Sequence, residues 1–370
     1  MFIALNEKGR LINLLSLTKE EKQNIMKKTF YCPQCHEPLI IKNGLVKKIH
    51  FAHKASNCLL TVNESEAHLL AKEQLFKFFE NRNISVEMEH VIHSTNQRSD
   101  LFFKISNICF AIEFQHSTIS FEKMKERIEN YQKETIKQIW LVDPKIMKKK
   151  GNVIKLQPFL YEILKLEYYN YLRLYCPYKE GLTILHSILY IQSTKIIATE
   201  HTTSLKHSSI SIFLSINPQK QYNFQAFFRQ IEKEKKNILL YYKQYHTFVF
   251  LLYENNIELM HAWWIGLPTK FNCMFDTNCI IWQGFLFVFW KKANIFTLNE
   301  STEWLESLLR NGAIRIRSEE IQIIKKAVEQ YLDLLVSLNI MRNDVNIYYY
   351  NELFVERDNN YLYKVLEKVL

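Results

Sequence analysis

The sequence predicts an α/β chain. Its core runs helix, three strands, helix, strand, with a small Cys/His-bearing module before it and a mainly α-helical region after it. Three observations predict this. Between residues 63 and 144 the apolar residues recur at helical spacing, then in strand-like runs, then again at helical spacing, ending in "KQIWLVDP". Ahead of that stretch, Cys32 and Cys35 form a C-x2-C pair followed by "HFAH". From 222 onward "NFQAFFRQIEKEKKNILLYYKQY" and "SEEIQIIKKAVEQYLDLLVSLN" have the pattern of amphipathic helices.

The elements follow in order. "MFIALNEKGRLINLLS" reads as a short hairpin turning at "EKG", and "TKEEKQNIMKK" as a short polar helix. In "NESEAHLLAKEQLFKFFENRN", Leu69, Phe76 and Phe79 share a helical face, with Asn63 or Ser65 as the cap. "ISVEMEHVIH" alternates apolar and polar residues, as a half-exposed strand does. "RSDLFFKI" and "ICFAIEFQ", separated by "SN", form a hairpin. Residues 120–134 place Phe121, Met124, Ile128 and Tyr131 on one stripe of a second helix, and 137–144 is a buried strand stopped by Pro144. "KIMKKKGN" is charged and ends near a glycine, which suggests a boundary. The expected division is 1–62, 63–150 and 151–370, with strand-like runs over 160–205.

The chain has 370 residues, 48% of them hydrophobic and only 7 Gly and 7 Pro, so it can build real cores with few long linkers. Lys and Arg number 48 against 38 Asp and Glu, a net +10, of which +7 falls in residues 1–150. That balance suits a polyanion such as nucleic acid; a lysine-favouring codon bias would give the same balance. "MFIALNEKGR" lacks the layout of a signal peptide, and "IIWQGFLFVFW" is too short to span a bilayer. The expected location is cytoplasmic with no membrane partner, where the seven cysteines would be thiols or metal ligands.

Zinc takes four soft or borderline ligands, and a C-x2-C turn supplies two of them. His50 and His53 follow Cys35 after 14 intervening residues that read as two short strands joined by "NG", and Cys58 comes next. Four of these five residues would hold structural zinc: both histidines with the cysteine pair, or Cys58 in place of His50. No open fourth position is indicated, so a catalytic role is not expected.

Asp100 begins the first strand of the 98–115 hairpin and Glu113 lies near the end of the second. Folding brings these carboxylates together as a hard-oxygen site suited to Mg²⁺ or Mn²⁺. Glu64 could add a third carboxylate, with His68 and Lys72 on the same helical face. Phosphodiester cleavage uses such a metal to stabilise phosphate charge and to supply hydroxide at neutral pH. Gln115 stands where a D-x(n)-E-x-K pattern has lysine; its amide can orient water but carries no positive charge, which Lys72 or another base would supply. Acids at strand ends are common, so it is their joint occurrence in this frame that points to catalysis.

The stretches "CPQC", "HFAHKASNC", "ESEAHLLAKEQL", "RSDLFF", "AIEFQHS", "KERIENYQ" and "IWLV" together resemble the competence protein CoiA family, most clearly over residues 1–145. "WWIGLP" and "IIWQ" further on also look like that family. The resemblance implies a zinc-finger-like N-terminus, a restriction-endonuclease-like nuclease domain, and a role in processing or recombining incoming DNA during natural transformation. Carried over by motif, the functional residues are Glu64, Ser65, His68 and Lys72, the strand-start Asp100, and the E-x-Q pair Glu113 and Gln115. Arg127 and Tyr131 would contact phosphate; the plainer reading is a solvated helix face with a tyrosine at the edge of the core. "RSDLFF" departs conservatively from the family's usual Arg-x-Asp-Val entry.

Two functions compete. In the first, the chain is a Mg²⁺- or Mn²⁺-dependent nuclease for single-stranded or branched DNA, with Asp100 and Glu113 on the metal, Glu64 assisting and Gln115 placing the nucleophile. In the second it is a non-catalytic DNA-binding recombination accessory, a reading motivated by Gln115. A third possibility is that Trp263, Trp264, Trp282 and Trp290 dock recombination proteins through the C-terminal region; core packing is the plainer account of them.

Overall fold

The structure is a computed structural model, and it describes residues 1–43, 48–53, 64–216, 218–317, 322–350 and 357–370. The expected hairpin forms from Ile3–Asn6 and Leu11–Asn13, with Gly9 at φ 71° in its turn. The polar helix Lys19–Asn24 starts at a reciprocal cap between Thr18 and Glu21. With Phe30–Tyr31, Pro38–Lys42 and His50–His53, the hairpin completes a five-stranded antiparallel sheet.

The predicted frame follows: helix Glu66–Glu80, strands Val86–Met88, Leu101–Ile105 and Ile108–Gln115, helix Phe121–Lys133 and strand Lys137–Val142. Ser65 and Ser120 cap the two helices. Alternation along the strand Ile108–Gln115 sorts its two faces. Ile112 and Phe114 pack with Leu69, Leu75 and Phe79 of the first helix. Ala111 packs with Met124, Ile128 and Tyr131 of the second, so Glu113 shares the second helix's face. The strand expected over 84–93 is interrupted at Glu89, whose backbone is left-handed with φ 54°.

The division expected at residue 150 falls inside one sheet. "KIMKKKGN" forms much of a hairpin, Lys148–Lys150 with Val153–Lys155 around Gly151, rather than a linker. Tyr171–Cys176 adds parallel to Lys137–Val142, and Gly181–Gln192 and Lys195–Ser204 extend the sheet to nine strands.

Residues beyond 222 form helices Phe224–Leu240, His246–Glu254, Cys279–Ala293, Leu298–Arg310, Gln322–Ser337 and Asn359–Val369 around one apolar core. Trp282 and Trp290 are fully buried there, Trp290 donating to Ser301 Oγ at 2.8 Å, so neither is available to a partner. The motifs "WWIGLP" and "IIWQ" meet: the buried Gln283 amide accepts from the backbone N–H groups of Gly266 and Leu267 at 2.7 and 2.9 Å. Gly266 has φ +96°, and a Cβ there would lie 2.7 Å from Ile231, so this turn requires glycine. No described helix is long and apolar enough to cross a membrane.

Candidate active site

The hairpin register pairs Ile112 with Leu101, so one step further Glu113 comes beside Asp100. Asp100 accepts the Phe114 backbone N–H at 2.8 Å through Oδ2. Both its oxygens lie 2.9 Å from His68 Nε2, which projects from the first turn of helix Glu66–Glu80. On the other carboxylate, Glu113 Oε1 meets Arg127 Nη2 at 2.5 Å and accepts a hydrogen bond from the Tyr131 hydroxyl. Arg127 and Tyr131 are four residues apart, one helical turn, and so reach the same acid. Arg127 also lies 5.2 Å from the ring of Trp140, Glu113's register partner on the next strand. Tyr131 is fully buried, whereas Arg127 is partly exposed.

The two acids differ in electrostatics. Burial opposes the Asp100 charge, yet His68 outweighs it and brings the carboxyl down to about 2. Burial raises the Glu113 pKa, and Arg127 counters this only in part. Burial likewise opposes a charge on His68, but Asp100 raises the imidazole above its ordinary value. The linkage signs follow. Asp100 contributes stability that is present above its ordinary 3.8 and is lost as pH falls toward about 2. The contribution of His68 is complete below 6.5 and is lost as pH rises through its raised value. Urea midpoints of wild type and His68→Gln should therefore differ most near about pH 5 and converge as pH rises through the raised His68 value. A gap independent of pH would contradict a charged pair.

Gln115 donates through Nε2 to the Ser117 carbonyl at 2.5 Å, and its backbone carbonyl accepts from Asp143 N at 2.9 Å. Lys72 is fully buried and directs its ammonium to Glu64 at 2.7 Å and Glu89 at 2.5 Å. Glu64 also meets the Met1 amino group at 2.8 Å, and Arg98 lies 3.8 Å away. Glu89 accepts the backbone N–H groups of Phe2 and Ile3 at 3.0–3.1 Å. Glu64 and Lys72 thus belong to a buried ion cluster that ties the first strand to the first core helix. The cations touching the two strand carboxylates are His68 and Arg127.

Sequence reasoning missed Glu89, because strand alternation places it on the polar face and only a left-handed backbone turns it inward. It also missed the group beside the E-x-Q pair, where His116 Nδ1 lies 2.8 Å from Asp143 and Nε2 lies 2.6 Å from Lys145 Nζ. The signal available was "QHS" ending one strand and "VDPK" ending its parallel neighbour.

The Cys/His module resolves more sharply. Ligand atoms of Cys32, Cys35 and His53 lie within 4.8 Å of one another, and Cys35 Sγ is 3.3 Å from His53 Nε2. A turn closed by His36 N donating to Cys32 O at 3.0 Å, with His36 left-handed, presents the two thiols. His50 and His53 sit three apart on one strand and therefore face opposite ways; His50 Nδ1 lies 2.7 Å from the Lys48 carbonyl, outside the group. Cys58 lies outside the described residues. Two thiols and an imidazole are the donors zinc prefers, so this group could hold it. Cys32→Ser should lower the zinc content of the purified protein, read by atomic emission, and expose residues 1–53 to protease. Unchanged zinc would remove Cys32 from the ligand set.

Three family models match the chain in order, all described as parts of competence protein CoiA: the N-terminal domain over 14–61, the nuclease-like domain over 64–218 and the C-terminal domain over 221–359. The chain is also similar to the competence protein CoiA of Bacillus subtilis (strain 168), at 25% identity over 348 residues, covering 88% of this chain and 90% of that relative.

Proposed function

The chain belongs to the competence protein CoiA family, and from that premise we propose that it is a divalent-metal-dependent nuclease acting on incoming DNA or recombination intermediates. The observation that carries the reading is the pairing of Asp100 and Glu113 on adjacent strands of a nuclease-like domain. Their oxygens are hard donors from two neighbouring strands, which fits Mg²⁺ or Mn²⁺. Such an ion, when bound, stabilises phosphate charge and supplies hydroxide at neutral pH.

The chain's own residues supply the rest. The Phe114 N–H and His68 fix the orientation of Asp100. Tyr131 and Arg127 fix Glu113, and the partly exposed Arg127 would meet a phosphate oxygen. The Gln115 amide, held by Ser117 O, orients a water through hydrogen bonding alone. The positive charge that lysine gives in E-x-K sites comes from His68 and Arg127. Divalent-dependent DNA cleavage by the full chain, absent from a folded Asp100→Asn variant, tests the reading.

A second reading, a DNA-binding recombination accessory without chemistry, is favoured by one observation. Both carboxylates already have cationic protein partners and Gln115 is engaged with its own strand end. It predicts DNA binding without cleavage.

A further inference from the structure

We propose that a cleft between the nuclease-like sheet and the helical C-terminal region binds single-stranded nucleic acid by stacking unpaired bases on tyrosines. The proposal rests on the DNA-processing reading only in taking nucleic acid as the ligand. The cleft has a volume of about 420 Å³. Aromatic residues line it from three separate segments: Tyr168 and Tyr171 where one strand begins, Tyr222 ahead of helix Phe224–Leu240, and Phe271 after Thr269. The exposed Lys220 and Lys270 also line it. No described side chain lining it is Asp or Glu, and the acid nearest in sequence to Tyr168, Glu167, is paired with Arg173 at 2.5 Å. Rings for base faces beside lysines for phosphates are how proteins hold single strands without reading sequence.

The backbone gives an independent observation. Tyr168, Tyr169 and Ser187, all lining this cleft, have φ of 51°, 61° and 48°. Side chains other than Gly and Asn rarely adopt that conformation, and two consecutive tyrosines in it are unusual. The surroundings enforce it. The Tyr190 hydroxyl donates to Tyr169 O at 3.2 Å, and the Tyr169 hydroxyl donates to that of Tyr161 at 3.1 Å. Ser187 sits in a bulge between His186 and Leu189, where its Oγ accepts from Gln221 N at 2.9 Å and pins the segment bearing Lys220 and Tyr222. Strain held in this way clusters at ligand sites. Its result here is that Tyr168 is 83% exposed at the mouth, anchored by its neighbours rather than by its own ring.

Tyr171 begins the strand that is second neighbour to the one bearing Glu113, and alternation turns its side chain to the opposite face of the sheet, so the cleft is a site separate from the carboxylates. Paired bases have their faces covered by stacking neighbours, so the site selects single strands over duplex.

The test is fluorescence anisotropy of a labelled oligothymidylate of about 15 nucleotides with the full chain, no Mg²⁺ or Mn²⁺ added. Tyr168→Ala should weaken binding about tenfold, and Tyr168→Phe should bind like wild type. Lys220→Gln with Lys270→Gln should lower the slope of log affinity against log salt by about 1.4. Wild-type affinity in Tyr168→Ala, equal binding of duplex, or equal competition by thymidine monophosphate would each overturn the cleft. Cleavage assayed in parallel separates the two claims. Cutting by wild type with Tyr168→Ala binding normally removes the cleft alone; weakened binding in Tyr168→Ala without any cutting by wild type removes the nuclease alone.

Discussion

Asp100→Asn is expected to lower divalent-dependent DNA cleavage by at least about a hundredfold while the chain stays folded. Asparagine keeps the size of the side chain and an oxygen for the Phe114 N–H, so the hairpin end retains its hydrogen bond. What it loses is the carboxylate charge, on which the raised pKa of His68 depends and with which the proposed site would hold its divalent ion. The expected signature is therefore a collapse in initial rate, unchanged far-ultraviolet circular dichroism and a His68 pKa that falls back toward its ordinary value, read by NMR. Cutting at the wild-type rate would remove Asp100 from the site.

Lys72→Met should destabilise the fold by about 3–5 kcal/mol, the largest stability effect expected of a single substitution here. Methionine matches the length of the lysine stem but leaves Glu64 and Glu89 without the ammonium that both contact. Burial raises the pKa of each acid, and Lys72 is the main group that outweighs it. The change is read from urea unfolding at neutral pH. A loss below about 1 kcal/mol would mean that the Met1 amino group and Arg98 suffice to balance the cluster.

The carboxylate pair and the buried ion cluster differ in how much of each the sequence conveys. Asp100, Glu113 and the frame around them were legible because strand and hairpin periodicity fixes which residues become neighbours. Arg127 and Tyr131 were legible as a helical pair, but not as partners of Glu113, since that depends on which sheet face the helix covers. Glu64, expected on a helical face with Lys72, stands just ahead of the cap Ser65 and still meets the ammonium, and their partner Glu89 arrives through a left-handed residue that interrupts the expected strand. In the sequence His50 is already the histidine that Cys58 could replace; the strand conformation turns it away from the side of His53. The run 160–205 read only as scattered strands because its pairing with Lys137–Val142 is parallel and remote, which local patterns do not encode.

The central claim is that the Asp100–Glu113 pair hydrolyses DNA. The most direct measurement incubates end-labelled single-stranded, duplex and branched DNA with wild type and with Glu113→Gln, in Mg²⁺, in Mn²⁺ and without added divalent ion. Omitting the ion is preferable to a chelator, which would also remove a metal held by Cys32, Cys35 and His53. The account predicts products on at least one substrate only with wild type and only with the ion. Intact DNA on every substrate, with binding preserved, would contradict it and leave the nuclease-like domain as a DNA-holding frame.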